Sequence, residues 1–96
     1  MKYIAAKLDG QEFIVTFPTF INHDRFWEAV RTTRFDIGFR DWDRKLYKAE
    51  VVGAGFIRDG KCYGRSETLG IDSRGDLDTS LIARNGFIKA TQERQP

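Results

Sequence analysis

The chain is poor in the residues from which many active sites and covalent frameworks are built. Its 96 residues include one Cys, one His, one Met and two Pro. A single cysteine, Cys62, excludes an internal disulfide, fits a reducing compartment and lacks the partner thiol a metal site would need. A single histidine, His23, removes Ser-His-Asp and Cys-His catalysis unless another base serves, and leaves no histidine pair for zinc. Charge of one sign is also scarce: 16 Lys and Arg face 14 Asp and Glu, a net charge of +2. A nucleic-acid-binding chain is expected to carry a basic stripe, so that balance supports one weakly. No stretch approaches the ~20 apolar residues of a membrane span. The apolar run inside the opening Met1-Lys-Tyr-Ile-Ala-Ala-Lys7 is too short for a signal peptide, and a cytoplasmic protein is expected.

Aromatic residues, by contrast, are plentiful, at 14% with eight Phe. One domain over 1–90 is expected, with 91–96 as a flexible polar tail. Two Asp-Gly pairs punctuate it. Each suits a two-residue type I′ turn, because both central positions need positive φ and these residues accept it cheaply. Centring the first turn on Asp9-Gly10 pairs Leu8 with Gln11, Lys7 with Glu12, Ala6 with Phe13 and Ile4 with Val15. Ile4, Ala6, Leu8, Phe13, Val15 and Phe17 then share one face, read as the core face. Tyr3, Lys7, Glu12, Ile14 and Thr16 fall on the other.

Centring the second turn on Asp59-Gly60 pairs Ile57 with Cys62, Gly55 with Gly64 and Gly53 with Ser66. The opposite face pairs Phe56 with Tyr63, Ala54 with Arg65 and Val52 with Glu67. Three glycines on one face mean either a helix approaching closely or a strong twist, or else a flat platform for a partner. Cys62 lies on that small face as a buried hydrophobe.

A helix is expected at about 23–33, with Asn22 as N-cap, an Ile21–Phe26 staple, and Phe26, Ala29, Val30 and Thr33 on one face. His23 reads as a surface residue at its start. Residues 34–48 are expected to hold a short alternating strand at Phe35, Ile37 and Phe39, followed over Asp41–Tyr47 by a turn or one helical turn capped by Asp41, the turn being favoured. A second helix, capped by Ser73 or Asp76, presents Leu77, Leu81 and Ile82 and stops at Asn85-Gly86 in αL geometry. Residues 87–90 add a short edge strand. The expected fold class is α+β: an antiparallel sheet built from two Asp-Gly hairpins with two short helices packed on one face, in ββα-ββα-like order.

The chemical motifs fail one by one. Gly64-Arg-Ser66-Glu-Thr68 begins like a nucleophile elbow but lacks its second glycine. No phosphate-binding loop occurs. Asp72-Ser-Arg-Gly-Asp76-Leu-Asp78 is rich in oxygen ligands, yet Arg74 and Leu77 stand where a calcium loop needs a ligand and a glycine, so capping explains these acids better. No catalytic residue, cofactor or metal is expected, and an enzyme resting on Asp72, Asp76 and Asp78 is the weakest reading.

Arg31, Arg34, Arg40, Arg44, Lys45 and Lys48 interleave with Phe35, Phe39, Trp42 and Tyr47. Asp36, Asp41 and Asp43 offset half that charge, which favours a protein partner over nucleic acid. Arg40, Trp42, Arg44, Tyr47, Tyr63 and Arg65 are the candidate contact residues, because Arg, Trp and Tyr dominate interface hot spots. A small nucleic-acid-binding regulator using the same surface is the alternative. A homodimer is also possible, since a sheet with one covered face leaves a face or an edge free.

Residues 51–82, through Ala54-Gly-Phe56, Gly64-Arg-Ser66 and the Asp-rich helix start, are similar to a pattern in short uncharacterised phage and prophage proteins. The resemblance covers about a third of the chain and brings no catalytic residues. It implies a viral accessory protein made in the cytoplasm of a bacterial host, inhibiting a host complex such as CRISPR or other defence machinery through protein–protein contacts.

Overall fold

The computed structural model describes residues 1–31 and 48–89. The first hairpin forms as its turn chemistry dictates. Strands β1 (Lys2–Leu8) and β2 (Gln11–Phe17) flank a turn in which Asp9 has φ 52° and Gly10 φ 80°. Their register runs from Lys2 opposite Phe17 to Leu8 opposite Gln11, with all four expected pairs in place. Helix α1 (His23–Arg31) follows, then strands β3 (Glu50–Arg58), β4 (Lys61–Tyr63), β5 (Arg65–Ser66) and β6 (Ile71–Asp72), helix α2 (Asp76–Asn85) and strand β7 (Ile88–Lys89). The expected strand and turn within 34–48 lie outside the described residues, apart from Lys48.

The fold is α+β, with a five-stranded sheet ordered β4-β3-β1-β2-β7 and a small β5-β6 ribbon. The large sheet is mixed rather than antiparallel throughout, because β7 runs parallel to β2. β1 lies at its centre, paired with β2 on one side and β3 on the other.

That central position overturns the expected layering. Ile4, Ala6, Leu8, Phe13, Val15 and Phe17 pack with Phe26, Trp27 and Val30 of α1. Tyr3, Ala5 and Ile14, which alternate with them and so point the other way, pack with Cys62 of β4 and Leu81 of α2. The two helices therefore cover opposite faces. The unbroken apolar run Tyr3-Ile-Ala-Ala6 is completely buried, as expected of a strand covered on both sides.

The second hairpin keeps only its first three pairs: Arg58–Lys61, Ile57–Cys62 and Phe56–Tyr63. Gly64 turns away with φ 84°, and Arg65 and Ser66 pair with Asp72 and Ile71 instead of β3. The ladder stops because the space beside Gly55 is taken. A Cβ there would strike the Tyr63 carbonyl and lie 3.2 Å from Ser73 Cβ. A Cβ on Gly53 would lie 2.6 Å from Asp78 Oδ2. Close approach of the α2 region is thus the reason for these strand glycines.

Two expectations at α2 are corrected. Its N-cap is Gly75: the Ser73 hydroxyl accepts the Gly75 N–H at 3.0 Å, ahead of the first helical residue, and Asp76 starts the helix. At the other end Gly86 has φ 72° and ψ −162°, an extended conformation open essentially to glycine rather than αL.

Candidate functional site

Two polar or aromatic arrangements stand out, one buried and one reaching the surface. The buried one centres on Asp78, which is inaccessible to solvent. Its Oδ2 lies 2.5 Å from Tyr3 Oη and accepts the Arg74 backbone N–H at 3.0 Å. Its Oδ1 accepts Arg74 Nε–H at 2.7 Å. A carboxylate only accepts, so the tyrosine proton points at Asp78, and the Ser73 hydroxyl, 2.6 Å away, donates to Tyr3. Arg74 Nη2 completes the cluster by distance, 2.6 Å from Asp78 and 2.8 Å from Glu12, without hydrogen-bond alignment.

The electrostatics follow from the geometry. Burial, reinforced by the Asp78 carboxylate, pushes the Tyr3 hydroxyl far above its ordinary value. Burial alone would lower the Arg74 guanidinium, but Glu12 and Asp78 outweigh it and hold it above the ordinary arginine value. Asp78 thus accepts three hydrogen bonds, from the Tyr3 hydroxyl, the Arg74 backbone N–H and the Arg74 Nε–H. Asp72, meanwhile, is on the surface, 2.7 Å from Arg65. Asp78 thus links β1 to the start of α2, and Asp72 links the two strands of the β5-β6 ribbon.

The second arrangement is a row of rings. Phe26 of α1 stacks on Phe17 at 4.0 Å. Phe17 meets His23 edge-on at 5.2 Å, and His23 meets Phe56 in the same way at 5.8 Å. Phe56 then contacts Tyr63 at 5.8 Å. His23 is not the surface residue expected: it is 3% exposed. Its Nε2 lies 3.0 Å from the Gly55 carbonyl. A carbonyl cannot donate, so Nε2 carries the proton. Burial holds the imidazole below its ordinary value, so it is neutral at physiological pH.

Tyr63 ends the row in the open, 49% exposed. Arg65 follows two residues later, its Nη1 2.7 Å from Asp72 and its Nε 3.8 Å from Glu67. The Asp72 bond raises its affinity for the proton. The structure therefore describes two of the six candidate contact residues, Tyr63 and Arg65, and both are exposed. They do not share one strand pairing: Tyr63 belongs to β4 and Arg65 to the β5-β6 ribbon. Arg40, Trp42, Arg44 and Tyr47 lie outside the described residues.

The sequence reading missed the Tyr3–Asp78 pairing, 75 positions apart. Gly53 and Gly55 were its one sequence signal, since they mark where something presses on the strand. Cys62 is buried as expected, with its thiol pushed up by desolvation. Among the described residues no group of three His, Cys, Asp or Glu side chains could hold a metal ion, and no helix is long and apolar enough to cross a membrane. No protein-family model, curated protein or solved structure matches the chain.

Proposed function

We propose that this chain is a non-enzymatic binding protein that covers a functional surface of a protein complex. One observation carries the reading: Tyr63 stands half exposed at the end of a ring row anchored in the core. Such a side chain loses little freedom on binding, and a rigid aromatic beside a fixed guanidinium is the pairing on which interface hot spots are built. Arg65 already has its charge met by Asp72 and Glu67, which suits a polar protein rim better than a phosphate backbone. The likeness of residues 51–82 to phage and prophage proteins supports a bacterial defence complex as the target.

The test is a pull-down from nuclease-treated bacterial lysate with tagged chain, washed at low and then high salt and read by mass spectrometry. A stoichiometric protein that survives high salt is expected, with Tyr63→Ala weakening its binding by ~2 kcal/mol. Recovery of nucleic acid alone, lost as salt rises, would overturn the proposal.

A further inference from the structure

A second surface lies at the other edge of the large sheet from Tyr63, where α2 meets β2 and β7. A groove of about 610 Å³ runs between α2 and the first hairpin, lined among others by Gly10, Leu77, Leu81, Arg84, Phe87 and Ile88. Its volume falls in the range of sites that enclose a ligand group.

The helix spacing explains how the groove arises. Leu77, Leu81 and Arg84 recur at i, i+4 and i+7 and so share one side of α2. Leu81 is buried and forms part of the floor. Leu77, one turn earlier, is 52% exposed, and Phe87, just past Gly86, is 45% exposed. The apolar stripe of the helix thus continues out of the core into the open groove, and two large side chains stand there without cover among the described residues.

Charge then selects what would cover them. Two charged side chains line the groove, Glu12 and Arg84. Glu12 is already met by Arg74 at 2.8 Å. Arg84 is exposed and forms no ion pair among the described residues. The unmet charge is therefore positive, set beside apolar walls. We infer that this groove binds a peptide segment of a protein partner in which a large apolar side chain stands next to a carboxylate. The apolar side chain lies against Leu77, Leu81 and Phe87, and the carboxylate meets Arg84. The inference does not rest on the Tyr63 surface, which is at the opposite sheet edge.

A random peptide library displayed on yeast, selected against the full chain, tests it. Enriched peptides should carry Phe, Trp or Leu within a residue or two of Asp or Glu. Arg84→Glu should weaken a selected peptide roughly tenfold or more through like-charge contact, and selection repeated on that variant should enrich Lys or Arg beside the same anchor. Leu77→Ala should weaken it too, and Tyr63→Ala should not. Both groove residues are exposed, so an unchanged thermal melt would show that each variant folds. No enrichment, enriched peptides without the acid, or binding indifferent to both Leu77 and Arg84 would overturn the inference. So would peptides lost with Tyr63→Ala alone, because they would belong to the other surface.

Discussion

On the α1 face of the sheet, Phe17 and Phe26 stack 4.0 Å apart among Ile4, Val15, Trp27 and Val30, and hydrocarbon fills the space. On the α2 face, directly behind β1, Tyr3, Ser73, Arg74 and Asp78 form a bonded cluster pressed against Gly53 and Gly55. The same strand serves both. A hydrocarbon face asks for volume and tolerates any side chain that supplies it. A bonded face asks for a particular donor opposite a particular acceptor, and an orphaned partner costs its full desolvation. The difference teaches where substitution is cheap in this protein.

The strongest way to break the comparison is to truncate one residue on each face and then try a conservative repair. Phe26→Ala should cost about 3–5 kcal/mol by leaving a cavity, and Phe26→Leu should recover most of that. Asp78→Ala should cost about 2–3 kcal/mol, since it leaves the Tyr3 hydroxyl and the Arg74 backbone N–H without their acceptor while Glu12 still faces the Arg74 charge. Here Asp78→Asn should recover little, because an amide nitrogen would face donors. Urea titration of the four variants checks both halves. Equal recovery on the two faces would dissolve the distinction.

Gly53→Ala sharpens it. The new methyl would lie 2.6 Å from Asp78 Oδ2 and 3.2 Å from Arg74 Nε, atoms held in place by their own bonds, so a loss of about 1–3 kcal/mol in urea titration is expected. Thr16 offers a smaller effect of opposite sign. It is completely buried and its Oγ1 has no hydrogen-bond partner among the described residues. Thr16→Val should therefore stabilise the fold by about 1 kcal/mol, read as a higher melting temperature.

The first hairpin was fully legible in the sequence, because Asp9-Gly10 fixes the turn and strict alternation fixes the register. Helix α1 was legible from Phe26, Ala29 and Val30. The covering of the second sheet face was not. Tyr3, Ile14 and Thr16 share their face with Lys7 and Glu12, a mixture that suits a solvated face, and only a helix some sixty residues further on covers it. Gly53 and Gly55 announced a close approach without naming its partner, since no local rule links Tyr3 to Asp78. At the candidate site, the pairing of Tyr63 with Phe56 was legible from the Asp59-Gly60 turn. Arg65 was misplaced because Gly64 ends the pairing that would have aligned it. His23 was misread for a related reason: its buried acceptor is a backbone carbonyl, which has no sequence signature.

The smallest expected effect lies on the α1 face, at His23 between Phe17 and Phe56. Burial holds its imidazole below the ordinary 6.5, so the folded chain takes up that proton less readily than the unfolded chain. Its contribution is fully present above pH 6.5 and declines as pH falls through that value toward the lowered one. His23→Gln should flatten this part of the stability–pH curve.

A double-mutant cycle on Tyr3→Phe and Asp78→Ala tests most directly whether the bonded cluster holds the α2 face. The account predicts that the two losses do not add, with a coupling of about 1 kcal/mol or more in urea titrations. Strictly additive losses would mean that the Tyr3–Asp78 bond contributes nothing to the fold, and the contrast between the two faces would fall.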